Sequence, residues 1–333
     1  EKLAFNLVDK YNIDSLRGSI IVLDYLFSHF WREKLDSHSR HEFLKAFQLA
    51  TSYGHIRVAQ YGFIAWVDTA IYLDEHLSDV HPRARSVVNE MRDLDSKSCL
   101  MILLPIWQVL LNLSGDSNNA YPSRLRGEAL DEDFVLSIQD TDSKVALLSM
   151  HMMEAIVSYL FDDVDFVMNN LWLLTKHEGE MRGHFITGFF QTWLAIFHYE
   201  CFILTGKRIH KRLARLSHRR VHHWSTSDTD MLLGPNSFLD AMANLCLVKS
   251  SVEDHMLRFQ NAARVCSASK CRLFEALAHE RLSKALYLCD PEGVSYSTSQ
   301  HQSVELYRTW GAVEKANQLE KKYSHACNNL MTR

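Results

Sequence analysis

The sequence predicts an all-α protein, a solenoid of antiparallel helical hairpins, and three observations carry that expectation. The 333 residues include only 12 Gly and 5 Pro, too few for a β-rich or Rossmann-type fold, which uses both at its turns. Apolar residues recur at i, i+3, i+4 and i+7 along most of the chain, the period of a helix that buries one face. The periodic stretches also come in pairs of roughly thirty to forty residues, the size of a helical-hairpin repeat. One hairpin cannot bury its own apolar face, so neighbours have to stack.

Taken in order, residues 1–38 form leading helices. Phe43, Ala46, Phe47 and Ala50 make the first clear face, and Tyr53-Gly54 the turn. Ile56, Ala59, Phe63, Trp66, Val67 and Ala70 then make the returning face. Val145, Leu148, Met152, Ala155 and Tyr159 begin a second pair. It turns at Asp162-Asp163 and returns through Val164, Val167, Met168 and Leu171. Phe238, Ala241, Leu245 and Val248 lead through Ser250-Ser251 to Val252, Met256, Phe259 and Ala263. Phe274, Ala278, Leu282 and Ala285 follow, then a polar loop at 290–299 and two short helices hinged at Trp310-Gly311. Loops are expected at 113–126 and 224–237 as well. Ala59, Phe63 and Trp66 suit the second helix of a tetratricopeptide repeat, but Phe47 stands where that pattern needs a small residue. The expectation is a degenerate tetratricopeptide-like superhelix, one array over 1–333 with halves at 39–223 and 224–333.

Composition excludes several classes. At 47% hydrophobic and 23% charged, with a net charge of -4, the chain is neither disordered nor collagen-like, and its charge gives no reason to expect a nucleic-acid binder as a whole. Its seven cysteines include no Cys-x-x-Cys pair and read as buried thiols of a reducing compartment. The N-terminus shows no secretory signal. It also lacks an initiator Met, so the chain is expected to be a segment of a longer cytoplasmic protein. The apolar stretch 99–113 is shorter than the roughly 20 residues of a membrane span and contains Pro105. The stretch 185–204 carries Gln191, His198 and Glu200, costly in lipid. Both read as core helices.

Catalytic patterns are sparse. Gly206-Lys207 lacks the glycine five residues earlier and the following hydroxyl of a phosphate-binding loop. His41-Glu42 and His279-Glu280 begin a zinc-protease motif, but neither has its second His. Glu180/His184 and Glu275/His279 stand at i, i+4 and read as exposed pairs steadying their own helices. Asp131-Glu132-Asp133 reads as an acidic helix start. The cluster His218, His222 and His223 lies in a basic run that opposes a divalent cation. No catalytic, cofactor or metal residue is expected.

That basic run, 207–223, holds Lys207, Arg208, Lys211, Arg212, Arg215, Arg219 and Arg220 with four His and no acid, above an apolar stripe of Ile209, Leu213 and Leu216. One reading is an amphipathic helix with a solvated basic face. The sharper one is a docking surface for an acidic partner, an anionic lipid or RNA, although no aromatics are interleaved to stack bases.

The C-terminal third contains Glu275-Ala276-Leu277-Ala278, Glu280 and Tyr287, then Tyr307-Arg308-Thr309-Trp310-Gly311-Ala312, Lys315 and Leu319-Glu320. These resemble the end of the tetratricopeptide-like helical region of large multi-sensor signalling kinases. In that family the region follows a serine/threonine kinase domain and an AAA/STAND-type ATPase, and precedes a GAF domain and a histidine kinase or other output. Tyr53-Gly54-His55 with Ala59 and Tyr61-Gly62, Leu125-Arg126-Gly127-Glu128 with Asp131-Glu132, and Trp224 with Pro235-Asn236 and Phe238 resemble upstream pieces in the same order. Ser237 is an insertion against that pattern, and Ala243-Asn244 replaces its Ala-Glu. The resemblance spans about residues 39–323. It implies a non-catalytic scaffold or relay that contacts other domains of its polypeptide and protein partners. ATP and magnesium would belong to upstream domains only. The rival readings are a stand-alone interaction scaffold, and an all-α enzyme with His198, Glu200, His184 and Glu180 converging on one pocket.

Overall fold

The structure, a computed structural model, describes residues 2–29, 37–117, 121–181, 184, 186–225, 232–246, 251–289 and 294–331. Among them are sixteen α-helices and no strand. The protein is all-α, as its sequence predicts. Helices α1 (Lys2–Tyr11) and α2 (Arg17–Phe27) lead into the hairpin α3 (Ser37–Ser52) and α4 (Ile56–Thr69). Next come α5 (His81–Asp93), α6 (Lys97–Ser114) and the short α7 (Glu132–Gln139), then the hairpin α8 (Lys144–Leu160) and α9 (Val164–His177). The pair α10 (Thr187–Thr205) and α11 (Arg208–Ser225) precedes α12 (Leu233–Leu245), α13 (Val252–Ala268), α14 (Arg272–Cys289), α15 (Val294–Trp310) and α16 (Val313–Met331).

The expected turns have local causes. Gly54 closes α3 at φ 77°, a conformation that costs glycine nothing. Asp162 takes φ 65° between α8 and α9, and the Asp163 carboxylate accepts from the Phe166 N–H at 3.2 Å to start α9. Asp131 caps α7 through the Phe134 N–H at 2.8 Å, so the acidic triplet is a helix start. Ser251 and Asp254 form a reciprocal capping box at the head of α13.

Two expected loops are partly helix. Of the segment 290–299, residues 290–293 lie outside the described residues, and from Val294 the chain is α15, packed on α14. Ser299 and Ser303 are buried and small enough to let the helices approach, and Ser303 Oγ donates to the Ala276 carbonyl at 3.0 Å. The final two helices are therefore long, 17 and 19 residues. Of 224–237, residues 226–231 lie outside the described residues, and α12 already runs through Gly234-Pro235-Asn236-Ser237. Proline is tolerated in a first turn because that N–H has no helical partner. Gly234 lies against α13, where a Cβ would meet Ser269 Oγ at 2.7 Å.

Both apolar stretches are core helices. Residues of α6 from Cys99 to Leu113 are almost all buried, and so is α10 from Gly188 to Cys201. The buried amides of α6 are matched. Gln108 Oε1 accepts from the Ala129 and Leu130 N–H groups at 2.9 and 3.1 Å, and Asn112 Nδ2 donates to the Pro122 and Arg124 carbonyls. One continuous core joins the layers. At its centre Trp193, with no exposed surface, meets Tyr159, Phe197 and Phe274.

In a simple solenoid each repeat touches only its neighbours. Here most helices do pack on their sequence neighbours, but α16 also packs on α6. Arg272 pairs with Asp74, Lys315 Nζ donates to the Leu160 carbonyl, and Gly311 lies against His76 and Leu77. The C-terminal helices thus close onto the middle of the chain.

Candidate functional site

The basic run forms α11, and its faces are set by what it packs on. Ala214, Ser217 and Val221 are buried against α10 and α12, with His210 half-buried on the same face. The small residues allow close approach. The expected apolar stripe is not the buried one: Leu213 is half-buried, while Ile209 and Leu216 are 50% and 43% exposed. At 100° per residue, those three fall on a flank of the helix.

Arg208, Arg212, Arg215 and Arg219 recur at i, i+4, i+7 and i+11, opposite the buried face, and all are exposed. The stripe is about 16 Å long at 1.5 Å per residue. None of the four has an ion pair among the described residues. They border an open groove of about 960 Å³ shared with Tyr199 and Phe202 of α10 and Ala243 of α12. Among the described residues, no acid lines it.

The remaining three cations do other work. Lys211 Nζ donates to the Cys246 carbonyl and sits 4.9 Å from the Phe202 ring centre, tying α11 to the end of α12. Arg220 turns to the far side, pairing with Glu178 and donating to Gln191 Oε1 at 3.2 Å. Lys207 is exposed just before the helix. Gly206, the neighbour that invited comparison with a phosphate loop, ends α10 at φ 67°.

The clustered His218, His222 and His223 do not converge. His218 Nδ1 lies 2.9 Å from the Tyr199 hydroxyl and its Nε2 3.4 Å from Asp240. His222 faces Asn236, and both His222 and His223 are exposed. Among the described residues no group of three or more His, Cys, Asp or Glu is placed to hold a metal ion.

The four residues of the pocket-enzyme reading separate into two places. Glu200 pairs with Arg281 at 3.0 Å, and His198 lies 3.1 Å from His210. Burial, reinforced by His210, holds His198 down at about 4. His184 and Glu180 meet elsewhere, on an apolar cavity between α2, α4, α6, α8 and α10. Glu275 and His279 are half-buried rather than exposed, because α13 and α15 wall a groove of about 800 Å³ around them.

The residues that carry the family resemblance have structural work. Glu280 and Lys315 are buried and 3.5 Å apart, and Lys284 reaches Glu280 at 3.3 Å. Burial opposes ionisation of Glu280, yet Lys315 and Lys284 outweigh it and hold the carboxyl below its ordinary range. Tyr307 and Trp310 are buried in the same layer. Glu128 receives two hydrogen bonds from Arg85, at 2.7 and 2.9 Å, and Phe238 meets Phe259 and Phe274. No protein-family model matches the chain, and no curated protein shows significant similarity to it.

Proposed function

We propose that this chain is a non-catalytic helical scaffold, a tightly wound superhelix of hairpins, that docks an acidic protein segment along α11. The observation that carries the reading is the stripe of four arginines without ion pairs beside an acid-free groove. A chain of net charge -4 that lines up four guanidinium groups repels acidic ligands elsewhere and attracts them here. Exposed Leu204, Ile209 and Leu216 flank the stripe and give apolar side chains of a protein partner somewhere to rest. The resemblance to multi-sensor kinases supports a place as relay between an ATPase module and an output module. The acidic segment would then come from the same polypeptide or from a protein partner.

The test is fluorescence anisotropy with a labelled Glu-rich amphipathic peptide, at about 50 and about 200 mM salt. Binding should weaken with salt, and Arg212→Glu with Arg215→Glu should lower affinity at least about tenfold. Equal binding by the charge-reversed protein would refute the docking reading. If anionic vesicles bind and the peptide does not, the surface belongs to a membrane. In the full-length protein, nucleotide control of the output that survives deletion of this segment would end the relay role.

A further inference from the structure

We propose that the cavity between α2, α4, α6, α8 and α10 is a binding site for a small organic amine, an apolar body carrying one protonated nitrogen that ion-pairs with Asp68. The cavity holds about 500 Å³, the size of a small-molecule site. Ile64, Ile102, Ile106, Met152, Met153 and Phe190 are among the apolar residues of its wall. At the rim Leu23, Phe27 and Tyr61 are 52%, 49% and 40% exposed, so a ligand has an apolar way in. Asp68 is 3% exposed, and its Oδ1 is buried without a hydrogen-bond partner. A buried polar atom left unmatched is costly, and here it lines an open space that another molecule can fill.

Charge selects the ligand class. Among the described residues, the lining includes Asp68 and Glu180 but no Lys or Arg. Glu180 is already 3.6 Å from Lys144, which leaves Asp68 as the carboxyl with no cation at hand. The other titratable groups facing the space are Tyr61, Tyr72 and His184. Burial holds His184 down at about 4, so at neutral pH it adds no positive charge. Burial raises both tyrosines, which stay neutral. A carboxylate ligand would find no cation among the described lining residues to offset its charge beside Glu180, and a hydrocarbon would leave Oδ1 unmatched. An ammonium satisfies it.

The proton balance follows. Burial pushes the Asp68 carboxyl up to about 8 in the empty cavity, so at pH 7 it keeps its proton. An entering ammonium displaces that proton to solvent, and a carboxylate–ammonium pair replaces the acid. One proton is released per ligand bound, so affinity rises about tenfold per pH unit below pH 8 and levels off above it.

The experiment uses three probes of one shape, 4-phenylbutylamine, 4-phenylbutanol and 4-phenylbutyrate, by titration calorimetry on the wild-type chain and on Asp68→Asn. The amine should bind the wild type at least about tenfold tighter than the alcohol, and the butyrate should not bind. Asp68→Asn should abolish the preference for the amine and retain the alcohol, a sign that the cavity is still formed. The second measurement needs no variant: wild-type affinity for the amine should climb between pH 6 and 8. Amine binding that is absent, unaffected by Asp68→Asn, or flat with pH would overturn the assignment.

Discussion

Replacing Asp68 by Asn should stabilise the protein, by an amount that grows with pH. The carboxyl has an ordinary value of 3.8, and in the fold burial pushes it up to about 8. Between those limits the folded chain holds a proton that the unfolded chain has released. The difference in bound protons, unfolded minus folded, is negative, so stability falls as pH rises from about 4 to about 8. Up to pH 7 the cost accumulates over about three pH units at about 1.4 kcal/mol each, or about 4 kcal/mol. Asn keeps the shape and cannot ionise. Its amide is as poorly matched as the protonated acid, so that part of the penalty cancels. Urea unfolding of both proteins at several pH values isolates Asp68, because every other titrating group contributes equally to the pair. The stability difference should be near zero at pH 4, close to 4 kcal/mol at pH 7, and constant above pH 8. A variant less stable at pH 7, or a difference that does not change with pH, would refute the reasoning, since either result requires a partner for the carboxylate inside the fold.

Three further predictions follow from the buried groups and turns. Lys315→Met keeps most of the side-chain volume but leaves Glu280 buried with less countercharge and the Leu160 carbonyl without its donor. It should cost about 3–5 kcal/mol by denaturant unfolding, part of which Glu280→Gln in the same chain restores. Gly311 has φ 91°, and a Cβ there would lie 2.9 Å from the His76 ring and 3.0 Å from the Leu77 nitrogen. Gly311→Ala should therefore cost more than about 2 kcal/mol, while Gly54→Ala, at φ 77° with open space around it, should cost only the backbone term of about 1–2 kcal/mol. His184 and His198 are both held at about 4 by burial. The stability they contribute is full above pH 6.5 and is lost as pH falls through 4. Replacing both by Gln should flatten the stability curve between those values.

Helix content and most turns were legible because they have short-range causes. The face Phe43, Ala46 and Ala50 is buried as its spacing implies, and Gly54, Asp162-Asp163 and Ser251 close or open helices through local backbone and cap geometry. The misreadings share a different cause. The segment 294–299 has the composition of a loop, yet it opens α15, which packs on α14 and buries Ser299. Gly234-Pro235 looks like a break and instead opens α12, where only a glycine lets α13 come so near. Local propensity cannot report a tertiary partner. The arginine stripe at 208, 212, 215 and 219 was readable as periodicity, but the loss of Lys211 and Arg220 from it depends on Cys246 and Glu178, which the run itself does not announce. Asp68 did leave a signal: one acid inside the run Ala65-Trp66-Val67-Asp68-Thr69-Ala70, which holds no other charge. Reading it required knowing that no Lys or Arg among the described residues lines the cavity.

The closure of the chain onto itself was invisible for the same reason, and it changes what a perturbation can do. Asp162, at the turn between α8 and α9, is bonded to Lys322 at 2.9 Å and lies 3.6 Å from Lys284. Burial opposes its charge, but Lys315, Lys284 and Lys322 outweigh it and hold the carboxyl well below the ordinary range. Glu280 shares two of those lysines, and Arg281 beside it reaches Glu200 and the Tyr159 hydroxyl. One charge network therefore joins α8, α10, α14 and α16 across more than 150 residues of sequence. In a chain of neighbour-only repeats, a load on the last helix would decay repeat by repeat. Here it passes directly from Lys315 to the end of α8, the helix that supplies Met152 and Met153 to the Asp68 cavity. Displacement of α16 thus has a short physical route to that cavity, one that runs through named ion pairs and hydrogen bonds rather than through the stack of hairpins between them.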